Sequence, residues 1–360
     1  GGERVYRAMA ERLVDRGFEV DYVTRDFGSI NAPDGVRVVP VWKGEIYNPA
    51  GTRTLTSAIG FARGVAGHVR SHGNTYDFVI ASALPVLTLL ACRWGLRGRS
   101  TPLVGDWLEV WSGKTWRRYA GTLAGTVAHI LQWAGARAAT DNTVNSEFTA
   151  SRLTSVGAPP PLVLGLVDLV DQRPSTCAPS TPETLLAVGR HIPDKQFDAI
   201  PGLIAELRRR GRNATATIVG AGPSTAAIVD AIHKHNVDGY VRLAGRVDDD
   251  ELAALYRQSA TLVLPSKREG FGLVVAEAAS YGVPSVVVIA DDNAAVELIE
   301  PGVNGAVSPS PHPTDLADAV ETVWNSTTDM RASTAAWFAE ARIERSLTRS
   351  VDALIDRVLS

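Results

Sequence analysis

Sulfur is scarce in this sequence: 360 residues contain two cysteines, Cys92 and Cys177, and two methionines. The cysteines lie far apart, so they form neither a metal-ligand spacing nor a disulfide framework, and they fit a reducing, cytoplasmic compartment. An excess of one charge is also lacking. Lys and Arg total 36 against 39 Asp and Glu, a net charge of −3, which argues against bulk nucleic-acid binding. No secretion signal is expected from the first four residues, which are polar and open onto a charged amphipathic segment. Two uncharged stretches invite a membrane reading. Residues 78–92 are too few and contain Pro85; residues 119–136 are long enough but carry several glycines, His129 and Gln132. Both are expected to be buried soluble elements.

What is present is the profile of a globular protein: 45% hydrophobic and 21% charged residues. The length favours two domains and needs no disulfide or metal staple. Val5, Ala8, Met9 and Leu13 recur at helical spacing, and Gly17 is placed to end that helix. Strands are expected near 18–24, 36–41, 77–82, 102–107 and 139–145, with helices between them, one long helix among them over 116–137. This alternation implies a parallel sheet covered on both faces. An α/β domain rarely opens on a helix, so a first strand is expected ahead of Gly1. Residues 168–183 are rich in Pro, Ser and Thr and form the linker candidate. A second alternation follows, with strands at 185–188, 216–219, 241–243, 261–264 and 285–289, and the pattern is helical after Pro311. The expected domains are therefore 1–168, 169–335 and a tail, 336–360, that packs back on the first domain through the neighbourhood of Trp337. Two doubly wound domains of this kind would face each other across a cleft, with ligands at the strand carboxyl ends.

Three motifs carry chemistry. The first is S-K-R-E-G-F-G-L-V-V-A-E-A, 266–278, which follows an apolar strand and opens a helix. Gly270, Phe271 and Gly272 let backbone approach a ligand, and a helix start favours an anion. Glu269 and Glu277 fall on roughly the same side, and a carboxylate accepts hydrogen bonds from a sugar diol. The second is V-G-R-H-I-P-D-K, 188–195, in which Arg190 and Lys195 follow one strand as a fork and a point charge suited to a pyrophosphate. The third is I-V-G-A-G-P, 218–223. Its Gly220 and Gly222 would also suit a dinucleotide, but the third small residue is displaced and no acidic residue closes the next strand. Asp248 to Asp250, with Asp291 and Asp292, converge on no metal-ligand set. Lys114, Trp116, Arg117 and Arg118 form a basic aromatic cluster: an acceptor rim, a membrane-surface patch for a lipid-linked acceptor, or an ordinary helix start.

Taken in order, G-R-x4-K, V-G-x-G-P, A-G-R-V and E-G-F-G-L-V-V-A-E-A resemble the retaining, GT-B-fold glycosyltransferases of the group 1 family. The likeness continues through V-P-S-V-V-V, D-N-A-A-V-E-L-I and G-V-N-G to Gly305, and Gly1, Gly2 and Glu3 resemble the family's early G-G-x-E loop. The resemblance implies transfer of a sugar from a nucleotide-diphosphate-sugar donor with retained anomeric configuration, without a metal or other cofactor. It assigns Arg190 and Lys195 to the diphosphate, Glu277 to the ribose and Glu269 to the donor sugar. Main chain at Gly270 to Leu273 would contact sugar and phosphate. Gly220, Gly222, Pro223, Arg246 and Val247 would complete the donor site, and Gly1 and Gly2 would close over the phosphates. On the acceptor side, some relatives read W-H-E-V-W where this chain has Trp107, Leu108, Glu109, Val110 and Trp111. Leu108 cannot hydrogen-bond a hydroxyl, which leaves Asp106 and Glu109 as polar candidates beside Trp107 and Trp111. It also motivates an alternative, a protein that binds nucleotide-sugar without transfer. A two-domain solute-binding protein is a further alternative, disfavoured by the paired cations and carboxylates.

Overall fold

The computed structural model describes residues 2–26, 28, 32–45, 54–170, 182–326 and 329–360. Gly1, Cys177 and most of the expected linker lie outside them. The chain divides into two compact units, residues 1–169 with 345–360, and residues 170–344.

The first unit opens on α1 (Gly2–Val14), which buries Val5, Ala8, Met9 and Leu13. Strands β1 (Val20–Arg25) and β2 (Val36–Trp42) pair in parallel as a sheet of their own. After α2 (Leu55–His72), a second parallel sheet runs β3 (Val79–Ser82), β4 (Leu103–Trp107), β5 (Asp141–Val144) and β6 (Leu162–Val163), in that spatial order. Helix α3 (Val86–Gly95) connects β3 to β4, and α6 (Glu147–Ser155) connects β5 to β6. Between the two sheets lies a cavity of about 840 Å³, lined by the whole of β1 and β3 and by side chains of α1, α2 and α3.

The single helix expected over 116–137 is two. Helices α4 (Gly113–Ala120) and α5 (Thr122–Ala138) meet at Gly121, whose φ of 80° breaks the helical path. A left-handed φ there is easiest for glycine. The expectation that 119–136 is buried also fails, since Tyr119, Leu123, Val127, Ile130 and Trp133 are exposed.

The second unit is a single six-stranded parallel sheet. Strands β7 (Thr184–Val188), β8 (Thr215–Val219), β9 (Val241–Gly245), β10 (Thr261–Leu264), β12 (Ser285–Val288) and β14 (Gly305–Ser308) lie in the order β14-β12-β10-β7-β8-β9. The short β11 (Arg268–Glu269) and β13 (Asp292–Asn293) pair separately. Helices α7 (Ile200–Arg209), α8 (Thr225–Lys234), α9 (Asp249–Gln258) and α10 (Leu273–Ser280) make crossovers, and α11 (Pro313–Trp324) follows the last strand, β14. Strands β10 and β12 are buried along their whole length, the run expected of parallel strands covered on both faces. The order is doubly wound: connections leave β7 toward β8 and leave β10 toward β12. A crevice therefore opens where the direction reverses, between the carboxyl ends of β7 and β10.

Helix α12 (Met330–Glu344) also belongs to the second unit. Trp337, expected against the first domain, instead donates through Nε1 to Glu300 Oε1 at 2.9 Å. The crossing comes later, at Arg345, and α13 (Leu347–Leu359) packs on α1. Asp168 anchors it by accepting from the Leu347 amide at 2.6 Å and from Arg12 Nη2 at 2.9 Å.

Candidate functional site

The switch point of the second unit gathers the residues that the sequence singled out. Lys195 ends a short 3₁₀ turn, Pro193–Lys195, beyond β7. Its ammonium forms an ion pair with Glu269 Oε1, on β11 beyond β10. Both side chains are mostly buried, 19% and 11% exposed. Glu269 also accepts from Ser266 Oγ at 2.8 Å. Asp194 ties the two loops together from below: its carbonyl accepts the Lys267 amide at 2.9 Å, and its carboxylate meets Lys267 Nζ at 3.3 Å and Arg268 Nη1 at 3.2 Å. Asn293 Nδ2 bridges the carbonyls of Ser266 and Val288 at 3.0 and 2.8 Å, which holds the post-β10 loop to β12.

Arg190 is exposed, and no hydrogen bond or ion pair of its side chain occurs among the described residues. It and Lys195 leave the same strand, but only Lys195 is held. Between them, His191 is 1% exposed. Its Nδ1 shares a hydrogen bond with Thr225 Oγ1 at 2.9 Å, and its ring meets Phe197 edge to face. Burial pushes its pKa down, so the ring is neutral at physiological pH.

Gly220 and Gly222 have a local reason to be glycine. A Cβ on Gly220 would lie 1.8 Å from the Gly189 carbonyl oxygen, and one on Gly222 would lie 2.3 Å from that of His191. The turn after β8 thus lies directly on the backbone after β7. Pro223 and Arg246 are exposed beside it, Val247 is half-buried, and the Gly220 amide donates to the Gly245 carbonyl at 2.7 Å. Gly272 caps α10 at φ 93°, where a side chain would strike Ala295. With Gly270, Phe271 and Leu273 it leads into α10, whose first amides lack intrahelical acceptors. Glu277, in the second turn, accepts from Tyr256 Oη at 3.2 Å. Burial, then the neighbouring carboxylate, raises the pKa of that hydroxyl far enough to keep it a donor.

In the first unit the candidates turn inward. Asp106 is fully buried and accepts from Tyr6 Oη at 2.7 Å and Thr143 Oγ1 at 2.6 Å. Trp107 is 1% exposed and donates to Asn142 Oδ1 at 2.8 Å. These two are core groups rather than surface available to an acceptor. Glu109 accepts from Trp111 Nε1 at 2.6 Å, and the Trp111 ring packs against Trp116 at a tilt of 47°. Leu108 packs on Gly2, whose added Cβ would lie 3.0 Å from Leu108 Cδ1. Among the described residues no group of three or more His, Cys, Asp or Glu side chains could hold a metal ion. Asp248 instead caps α9 by accepting the Glu251 amide at 2.8 Å.

A split, doubly wound α/β chain with this motif order has the fold of the GT-B glycosyltransferases. Residues 171–336 match the family model of glycosyl transferases group 1, and residues 1–164 match that of the glycosyl transferase 4-like domain. Together the two matches make the chain similar to the group 1 glycosyltransferases over its second half and to the 4-like domain over its first. It is 39% identical over 105 residues to glycogen synthase of Mycobacterium tuberculosis, a match covering 29% of this chain and only 25% of that protein. It is 29% identical over 354 residues to D-inositol 3-phosphate glycosyltransferase 2 of Catenulispora acidiphila, covering 89% of this chain and 81% of that one. The crystal structure of Anabaena HepE in complex with UDP superposes with a TM-score of 0.68 at 17% identity, covering 95% and 99% of the two chains.

Sequence reasoning missed Ser266, Asp194, His191, Tyr256 and Asn293. Ser266 stood inside the strongest motif, and Asn293 inside D-N-A-A. Tyr256 had no signal, because its partner is brought in by the crossing of α9 and α10.

Proposed function

We propose that the second unit binds a nucleotide-diphosphate sugar at the carboxyl ends of β7 and β10, and that the protein passes the sugar to an acceptor with retained anomeric configuration, without a metal. The observation that carries this reading is the Lys195–Glu269 pair at the switch point. A mostly buried ion pair gives the fold little net stability, whereas it stores a cation for phosphate beside a carboxylate for sugar hydroxyls. A diphosphate entering there competes with Glu269 for Lys195, frees the carboxylate to accept from the sugar, and meets Arg190 from solvent. A cation at about 4 Å from the charge developing on the leaving diphosphate is worth roughly 4 kcal/mol at an effective dielectric of 20. Glu277, oriented by Tyr256, is suited to the ribose diol. HepE, a relative in fold, is known in complex with UDP, which supports a nucleotide at this site.

Calorimetry with UDP-, GDP-, ADP- and dTDP-sugars tests the reading. Heat with at least one donor, undiminished by EDTA, supports it; heat with none overturns it. The anomeric configuration of the product, read by NMR, tests retention. A binding protein without transfer is the competing reading, and Leu108 favours it because a leucine against Gly2 offers no hydrogen bond to a reacting hydroxyl. Donor binding with neither transfer nor hydrolysis would establish that alternative.

A further inference from the structure

Helix α5 is inside out. Its buried residues are Gly125, Gln132, Gly135 and Ala136, while Leu123, Val127, Ile130 and Trp133 are 82%, 49%, 57% and 48% exposed. Those four recur at spacings of four, three and three, so they form one stripe rather than scattered positions. The buried Gln132 explains the inversion. Its Oε1 accepts from the Trp111 amide at 3.0 Å and from Trp116 Nε1 at 2.9 Å, and its Nε2 donates to the Trp111 carbonyl at 2.8 Å. This polar anchor fixes which face of α5 turns to the unit, and Trp116 is spent on it.

Charge on this part of the chain is of one sign. No Asp or Glu occurs from 110 to 140, where Lys114, Arg117, Arg118 and Arg137 fall, in a chain whose total charge is −3. The first three stand exposed on α4, which packs on α5, and Arg137 lies over the Trp133 ring at 3.9 Å. On α3, which also packs on α5, Trp94 is 57% exposed beside Arg93 and Arg97.

We propose that the stripe on α5 and the cations of α4 form a docking surface for an anionic lipid bilayer. Charge complementarity selects this occupant. A second copy of the chain seated on the same face would bring the same unopposed cations against these, whereas a bilayer with acidic headgroups supplies counter-charge and a medium for Leu123 and Ile130 together. Trp133 and Tyr119 have the amphipathic rings that settle at headgroup depth. No helix among the described residues is long and apolar enough to cross a membrane, so α5 lies along the surface. The proposal does not depend on the donor site.

Co-sedimentation of the full chain with phosphatidylcholine vesicles, with and without phosphatidylglycerol, tests it. Binding is expected to be at least about tenfold tighter to the anionic vesicles and to weaken with salt, since each surface cation contributes roughly 1 kcal/mol. The double variants Leu123→Glu/Ile130→Glu and Arg117→Glu/Arg118→Glu should each lose at least about tenfold. Their melting temperatures should stay at the wild-type value, because all four side chains are exposed. Failure to bind either vesicle overturns the proposal. So does equal binding by the variants, or a dimer in analytical ultracentrifugation that Leu123→Glu/Ile130→Glu dissolves.

Discussion

The two units use the same kind of sheet to different ends. In the second, six strands pair without interruption, and the reversal between β7 and β10 leaves a crevice whose walls are backbone-locked. Gly189, Gly220 and Gly222 bring two loops to backbone contact there, and Lys195 and Glu269 meet across it. In the first, the central position is a cavity of about 840 Å³ between the facing edges of β1 and β3. Asp106, late in β4, and Asn142 and Thr143, within β5, hold those strands to each other and to Tyr6. A continuous sheet can present charged groups to a ligand because its backbone bonds hold the loops.

The largest effect that would break this contrast is catalytic. Lys195→Ala should lower turnover about 100- to 1,000-fold, the range for losing one preorganised charge donor. It leaves Glu269 with Ser266 alone, so melting should fall by only a few degrees. Lys195→Ala/Glu269→Gln should recover the melting temperature but not the turnover. Wild-type turnover in either variant would remove the switch point from the chemistry.

Next comes packing. Leu186 lies on β7 with no exposure, at the centre of the continuous sheet. Leu186→Ala should cost about 2–5 kcal/mol. Val23, on β1, borders the cavity, and Val23→Ala should cost about 1 kcal/mol or less, because one of its sides already lacks neighbours. Denaturant unfolding that gives equal losses would mean the two cores are equally filled. A five-residue segment rich in Val and Ile, placed ahead of Gly2, would find two unpaired parallel edges and should raise melting by several degrees. No change would show that the edges do not accept a strand.

Much of this was legible in the sequence, and unevenly so. Strands β7, β8 and β10 announce themselves as runs closed by Gly or Pro, and β12 as an apolar run opened by Pro284 and Ser285, and the motifs that follow β7 and β10 mark the candidate site. Strands β6 and β14 do not, because two residues in one case and Gly-Ala-Val-Ser in the other carry no pattern apart from their partners. The helix break at Gly121 was hidden by a continuous uncharged run. The placing of Trp337 turned on a single hydrogen bond to Glu300, far away in sequence. Asp106 resembled a cleft residue because it lies near the carboxyl end of a strand, where ligands bind, and only tertiary contacts show that Tyr6 and Thr143 already occupy it. Pairing of Lys195 with Glu269 follows from strand order, which no local pattern encodes.

The smallest expected effect is on pH, and its sign differs between the units. Burial raises the Asp106 pKa, so the folded first unit holds a proton that the unfolded chain releases above about pH 4. By linkage, the contribution of Asp106 to stability falls as pH rises from there toward the raised value. In the second unit, Glu206 accepts from Arg209 and Arg210, and its pKa drops to about 2. Its contribution is present above the usual glutamate range and is lost as pH falls toward about 2. Asp106→Asn should therefore gain on the wild type as pH rises above about 4. Glu206→Gln should lose against it at lower pH, over the rise from about 2 to the usual glutamate range, and modestly, because water screens the pair. Urea unfolding across both ranges distinguishes the two slopes. Parallel slopes would mean that the buried carboxylate is not held neutral, and that the inward use of polar groups in the first unit has been misassigned.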